Sequence, residues 1–146
     1  MNLFVEELKE ISEADFLTLE SLMNQLTGRT VKLSREYIDG IKAGNSPVKL
    51  YVIRKEGVII ATYSLAVTLI PTGKNGWIED VVVDESFRGQ GLGKTLLLHA
   101  LAIAPQLSLS KLFLTSRPER ITANQLYQRI GFTQRTTNVY EYPILG

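Results

Sequence analysis

Residues 83–94 constrain the fold more than any other part of the chain, because a strand-like run leads into closely spaced glycines and then a helix. Three glycines alternate over residues 89–93. Glycine lets the backbone turn tightly and bring its N–H groups close to a ligand. The first N–H groups of a helix are unpaired and lie at its positive dipole end, which suits phosphate. A tight turn that needs only glycine is the alternative, but the flanking cations Arg88 and Lys94 favour a phosphate-binding loop.

The segment resembles two nucleotide-binding motifs, but it differs from each of them at one required position. The Walker A motif needs glycine where Arg88 stands, although Gly93-Lys94-Thr95 mimics its last residues. A dinucleotide fingerprint that starts at Gly89 needs glycine at position 94, which is lysine. The antiparallel order predicted for the preceding strands also disagrees with the parallel units of those folds.

Composition favours one ordinary globular domain. The chain has 146 residues, 45% hydrophobic and 21% charged, and this length buries a core without metal or disulfide staples. It has no cysteine and one histidine, His99, which excludes cysteine chemistry and leads us to expect no metal. Its apolar runs are shorter than a membrane span, and its acidic N-terminus is unlike a signal peptide. We expect a single domain over residues 1–146, in the cytoplasm and without membrane association.

Charge is distributed unevenly along the chain. Residues 1–84 hold nine Lys and Arg against twelve Asp and Glu, whereas residues 85–146 hold seven against three. With a net charge of only +1, this basic half favours a local anionic ligand over a nucleic-acid surface, which usually has a stronger basic excess. Uneven scatter of solvated charges is the alternative. No nucleic-acid recognition motif is present, so we expect no nucleic-acid partner.

Hydrophobic periodicity and turn residues predict an α+β fold with the element order β-α-α-β-β-β-α-β-α-β. The predicted elements are a strand at 2–7, helices between Ser12 and Gly28 and between Ser34 and Gly44, strands at 50–54, 58–70 and 77–84, a helix at 92–104, a strand at 112–115, a helix at 122–130 and a strand at 139–143. Glu56-Gly57 and residues 71–76 are predicted turns. The apolar strand at 112–115 is expected in the sheet interior.

Two motifs occur in order in the second half of the chain. The segment Arg88-Gly89-Gln90-Gly91-Leu92-Gly93 satisfies the pattern Arg/Gln-x-x-Gly-x-Gly/Ala between a strand and a helix. Residues 126–132 satisfy Leu-Tyr-x-x-x-Gly-Phe. With these motifs the chain resembles the GNAT superfamily of acetyl-CoA-dependent N-acetyltransferases. The resemblance implies a mixed, mostly antiparallel sheet flanked by helices.

The resemblance also implies acetyl-CoA as co-substrate, in an opening where the fourth and fifth strands splay apart. Backbone groups of Val81, Val82 and Val83 would pair with the pantetheine arm. The loop residues expected to bind the cofactor are Arg88, Gly89, Gln90, Gly91, Leu92, Gly93 and Lys94. Many family members carry asparagine where this chain has Arg120. The resemblance therefore makes Asn124 the candidate residue for contact with the cofactor, and it makes Arg120 a candidate for binding a phosphate of CoA.

Acetyl transfer needs a neutral amine, a stabilised oxyanion and a proton for the departing thiolate. A backbone N–H near Val82 would donate to the thioester oxygen if the strand is distorted there. Glu79, expected in phase with Val81 and Val83, is the predicted general base, acting through water. Asp80, facing the other side, is the alternative base. A carboxylate that only pairs with a nearby cation is equally consistent with the sequence.

Tyr127 is the proton donor that the family position implies. A phenol with a reference pKa near 10 is protonated at neutral pH and can supply a proton to the thiolate. The residues alone favour a packed core tyrosine, because Tyr127 shares a helical face with Leu126 and Ile130.

We therefore predict an N-acetyltransferase that moves the acetyl group of acetyl-CoA to a primary amine of a small molecule, peptide or protein. The amine would attack directly in a ternary complex. A non-catalytic acyl-CoA-binding sensor is the alternative, which would keep the glycine loop without needing Glu79 or Tyr127. By analogy with the family, residues 26–33 and 135–138 shape the acceptor site, and the C-terminal strand forms a homodimer.

Overall fold

The computed structural model describes residues 3–145. Its helices and strands are, in chain order, β1 (Val5–Glu7), α1 (Glu13–Thr27), α2 (Arg35–Ala43), β2 (Val48–Lys55), β3 (Val58–Ile70), β4 (Gly73–Val83), α3 (Leu92–Ile103), β5 (Lys111–Phe113) and α4 (Ile121–Ile130). A 3₁₀ turn, Glu85–Phe87, lies between β4 and α3. Residue 2, where the predicted first strand begins, is outside the described residues.

These residues divide into two compact units, with the boundary between Thr115 and Ser116. The first unit contains the sheet and the helices α1, α2 and α3, and the second contains α4. A single domain over residues 1–146 stays a prediction. No helix in residues 3–145 is both long and apolar enough to cross a membrane.

The sheet has five strands in the spatial order β1-β2-β3-β4-β5. The first four strands pair antiparallel, and β5 pairs parallel to β4. The predicted α+β fold with a mixed, mostly antiparallel sheet is confirmed. The interior position predicted for the apolar strand near residue 112 is wrong, because β5 lies at the edge and pairs with β4 alone in the described sheet.

The caps of α1 and α2 lie where the sequence predicts them. Ser12 and Asp15 form a capping box, in which the Ser12 hydroxyl accepts from the Asp15 N–H at 3.0 Å. Ser34 caps α2 in the same way, accepting from the Tyr37 N–H at 3.2 Å. Gly28 ends α1 in the left-handed conformation with a φ of 70°, which glycine adopts without strain.

Both faces of the sheet are covered within the first unit. On one face, α1 and α2 pack on β2, β3 and β4 through an apolar cluster. That cluster consists of Leu8, Ile11, Phe16, Leu19, Leu22, Ile38, Ile41, Leu50, Val52, Ile59 and Val82. On the other face, His99 of α3 contacts Tyr51 and Tyr63 and accepts or donates a 2.8 Å hydrogen bond with the Tyr63 hydroxyl. His99 is half-buried and thus lies at the boundary between the core and the surface.

Residues 131–145 of the second unit form no strand, so the last strand predicted at 139–143 is wrong. Val139, Tyr140 and Tyr142 are 80%, 87% and 85% exposed. Alternating apolar residues form a strand only where another strand pairs with them, and sequence alternation does not supply that partner.

Candidate active site

The strand β4 contains a β-bulge at its centre. Val82 lies opposite Thr62 and Glu79 lies opposite Ser64, so β4 has one residue more than β3 between these pairs. Asp80, within the extra segment, has a φ of 51° in the left-handed region. Bulges and positive φ values at non-glycine residues concentrate at functional sites. The strand is therefore distorted next to Val82, as the proposed thioester contact requires.

The bulge decides which side chains of β4 share a face. Because their partners on β3 are two residues apart, Glu79 and Val82 face the same side of the sheet, which is the side covered by α1 and α2. Val83 lies opposite Ala61 and faces the other side. The prediction that Glu79 is in phase with Val83 is thus wrong, because the extra residue interrupts the strict alternation.

A polar cluster occupies this side of the sheet next to the bulge. The Tyr37 hydroxyl of α2 lies 3.2 Å from the Ser64 hydroxyl of β3. Burial raises the pKa of Tyr37, and the charge of Asp80 raises it further. The pKa of Glu79 is also raised, first by burial and then by Asp80. Hydroxyl and carboxyl groups from three elements therefore lie close together beside the bulge.

Tyr37 and Ser64 are not among the functional residues predicted from the sequence. Ser64 lies in a run of buried β3 residues and is itself 8% exposed. A polar residue inside an apolar strand is a signal that points to Ser64, whereas its pairing with Tyr37 depends on the fold.

In the described sheet, the edge of β4 that faces β5 is unpaired over the second half of the strand. The two strands pair only at Asn75, Gly76 and Trp77 of β4, where the Trp77 ring stacks on Phe113 with centroids 4.8 Å apart. Within residues 3–115, no strand pairs with β4 on this side from residue 78 to residue 83. An open strand edge is a template for an extended ligand. Residues 81–83 lie on this edge, in agreement with the predicted splay.

The glycine loop leads from this edge into α3. Gly91 is the N-cap of α3, without a side-chain hydrogen bond to the helix end. The N–H groups of Leu92, Gly93 and Lys94, in the first turn, therefore have no intrahelical acceptor. Gly89 and Gly91 both have a φ of 80°, a conformation that favours glycine.

Gly93 is a glycine of this loop that the protein's own geometry does not require. Its φ is not in the left-handed region, and a Cβ atom at this position would meet no described atom within 4 Å. Neither the backbone conformation nor protein packing requires glycine here, and a glycine leaves room for a bound group to approach the backbone. The loop thus leaves space beside its N–H groups for an anionic group, and Gln90 lies at its exposed turn.

Two cations flank the loop. Arg88 donates from Nε to the Val83 carbonyl at 3.1 Å, which places its guanidinium beside the end of β4. Lys94 is exposed in the first turn of α3. Within the described chain, neither Arg88 nor Lys94 takes part in an ion pair. Both charges are therefore available to an anionic ligand.

The other candidate residues lie in the second unit. Tyr127 is 8% exposed, and its ring meets that of Phe132 edge to face with centroids 6.3 Å apart. No residue among 3–145 forms a hydrogen bond with its hydroxyl. Asn124 donates from its amide to the Arg117 carbonyl at 2.9 Å, and Arg120 is the N-cap of α4.

Comparison with known sequences agrees with this geometry. A sequence profile of the acetyltransferase (GNAT) family matches residues 6–132, which include β4, the glycine loop and α4. The chain therefore belongs to the acetyltransferase (GNAT) family. It is an acyltransferase, and acetyl-CoA is the co-substrate that the family implies.

Named relatives and solved structures are similar over nearly the whole chain. A spermine/spermidine N(1)-acetyltransferase of Bacillus subtilis is 28% identical, over 90% of this chain and 88% of its own. A glucosamine 6-phosphate N-acetyltransferase of Trypanosoma brucei brucei is 29% identical, over 86% of this chain and 88% of its own. A crystal structure of a Trypanosoma brucei acetyltransferase is 26% identical, with a TM-score of 0.77 over 97% of this chain and 100% of its own.

Proposed function

We propose that this enzyme transfers the acetyl group of acetyl-CoA to a primary amine of a small molecule, by direct attack in a ternary complex. The observation that carries the proposal is the open edge of β4 at residues 81–83, which continues into the uncapped glycine loop at 88–94. In this proposal the loop N–H groups hold the diphosphate, and the strand edge pairs with the pantetheine arm.

The bulge supplies the oxyanion contact in this proposal. A bulge leaves backbone groups outside the regular ladder, and an N–H near Val82 would donate to the thioester oxygen as it gains negative charge. One such donor contributes about 2.7–4 kcal/mol to lowering the barrier.

Two side chains move protons in the proposed reaction. Glu79, whose raised pKa makes it a better base than an ordinary glutamate, accepts a proton from the acceptor ammonium through water. The neutral amine then attacks the thioester carbon, and the C–S bond breaks. Tyr127 gives its phenolic proton to the CoA thiolate. Asp80 is the alternative base.

The acceptor is proposed to be a small amine because the two named relatives acetylate a polyamine and an amino-sugar phosphate. An acetyl-CoA assay that detects free thiol tests this proposal with spermine, spermidine, glucosamine 6-phosphate, amino acids and a peptide N-terminus. We expect turnover with at least one small amine, and loss of it in Glu79→Gln. Turnover with the peptide as the only active acceptor would overturn the proposal of a small-molecule acceptor. Binding of acetyl-CoA without turnover of any amine would favour the alternative function, a non-catalytic acyl-CoA-binding sensor.

We further propose that the protein acts in the cytoplasm as a single domain and as a homodimer, as the family analogy suggests. Its mass in solution tests the homodimer. A monomer at assay concentrations would contradict it.

A further inference from the structure

We propose that the last turns of α1 position the two substrate-binding loops separately. Gln25 positions the entrance of the cofactor loop, residues 88–94. Asn24 and Glu20 position the acceptor loop, the part of residues 26–33 that follows α1. This inference rests on the proposed function, which assigns acetyl-CoA to the glycine loop, and on the family analogy, which assigns residues 26–33 to the acceptor site.

Gln25 is tied to the cofactor loop by a long-range hydrogen bond. Its Oε1 atom accepts from the Glu85 N–H at 2.9 Å, between residues 60 positions apart. Glu85 begins the 3₁₀ turn that precedes Gly89. In the same turn, the Phe87 ring has the Lys55 ammonium 5.1 Å from its centre. The entrance of the loop is thus held between α1 and the end of β2.

This bond matters because the loop is rich in glycine. A Cβ atom added at Gly89 or Gly91 would meet no described atom within 4 Å. Glycine also loses more backbone entropy on ordering than any other residue. Fixing the preceding turn before the ligand arrives lowers the ordering cost of binding. Gln25 is therefore a positioning residue for acetyl-CoA.

Asn24 and Glu20 hold the acceptor loop in the same manner. The Asn24 Oδ1 atom accepts from the Val31 N–H at 2.7 Å, and the Glu20 Oε2 atom accepts from the Leu33 N–H at 3.0 Å. The segment between α1 and α2 has no regular structure of its own. These two bonds fix its backbone on the side of the sheet that carries Glu79.

The two sets of bonds use different side chains, so their effects are separable. Gln25→Met keeps the length of the side chain and removes the acceptor. We expect it to weaken binding of coenzyme A about two- to tenfold, the effect of one hydrogen bond, with the amine KM changed less than twofold. Asn24→Ala should raise the amine KM by a similar factor and leave CoA affinity unchanged. Asn24→Asp, which keeps the acceptor, should restore the amine KM.

Ser21→Ala is the matched control, because Ser21 is exposed on the same helix and makes no side-chain hydrogen bond in the described chain. It should change neither constant, and thermal unfolding should show that all variants remain folded. Equal shifts of both constants in Gln25→Met and Asn24→Ala, or no shift in either, would overturn the inference. Failure of the wild-type protein to bind coenzyme A would instead overturn the proposed function.

Discussion

Glu79 lies next to Asp80 at the β4 bulge, and its pKa is raised first by burial and then by the charge of Asp80. The bulge brings Glu79 to the same face as Val82. A carboxylate with a raised pKa holds a proton more readily than an ordinary one, which suits a general base. The distortion of the strand and the basicity of the side chain thus arise at the same place.

Asp80→Asn removes one of the two causes of the raised Glu79 pKa. We expect the acid limb of kcat/KM to move to lower pH, because Glu79 then loses its proton more easily. The pH profile with saturating acetyl-CoA measures this shift. Glu79→Gln should lower kcat by about 10²–10⁴ and abolish the limb. An acid limb that is the same in Asp80→Asn and the wild-type protein would argue against Glu79 as the base.

Gly93→Gln tests whether glycine at this position serves the ligand. The new Cβ atom would meet no described atom within 4 Å, and glutamine has a higher helix propensity than glycine by up to about 1 kcal/mol. We expect an unchanged or higher free energy of unfolding but at least tenfold weaker binding of coenzyme A. Urea denaturation and calorimetry measure the two quantities. Unaltered affinity would show that no ligand approaches Gly93.

Tyr127→Phe removes the proposed proton donor and keeps the ring that meets Phe132. We expect turnover to fall by about 10²-fold or more, while the affinity for coenzyme A changes less than twofold. Steady-state kinetics and CoA titration separate the two effects. Unchanged turnover would remove Tyr127 from the mechanism.

Asp15→Asn tests an ion pair that joins α1 to the sheet. Both Asp15 carboxylate oxygens accept from the Arg54 guanidinium, at 2.8 and 3.0 Å, and these bonds lower the Asp15 pKa. The ion pair therefore contributes its full stabilisation at pH values above 3.8, the ordinary pKa of an aspartate. This contribution is lost as the pH falls through the lowered pKa of Asp15 in the folded protein.

We expect Asp15→Asn to lower the free energy of unfolding at pH 7 by roughly 1.5–3 kcal/mol and to lose less stability on acidification. Urea denaturation between pH 7 and pH 3 measures both effects. Glu6→Gln is the comparison variant, since Glu6 also pairs with Arg54 but is more exposed, and its effect should be smaller. Equal pH dependence in Asp15→Asn and wild type would contradict this account.

Features that depend on local sequence could be predicted. The caps at Ser12 and Ser34 and the glycine loop follow from chemistry within a few residues, and they lie where the sequence indicates. Two features could not, because they depend on pairing between distant segments. The bulge at Asp80 exists only in the register of β4 against β3. The edge position of β5 depends on which strands pair with it.

The polar cluster near the bulge shows the same limit. Tyr37 and Ser64 are 27 residues apart in the chain, and nothing in either local pattern indicates that they meet. The hydrogen bond from Glu85 to Gln25 likewise joins two elements that only the folded sheet brings together.

Calorimetric titration of the protein with coenzyme A is the most direct test of the loop and strand edge as its binding site. We predict saturable binding of one coenzyme A per chain and much weaker binding in Gly93→Gln. ATP should be a poor competitor, because it lacks the pantetheine arm. Absence of binding by folded protein at millimolar coenzyme A would contradict this prediction.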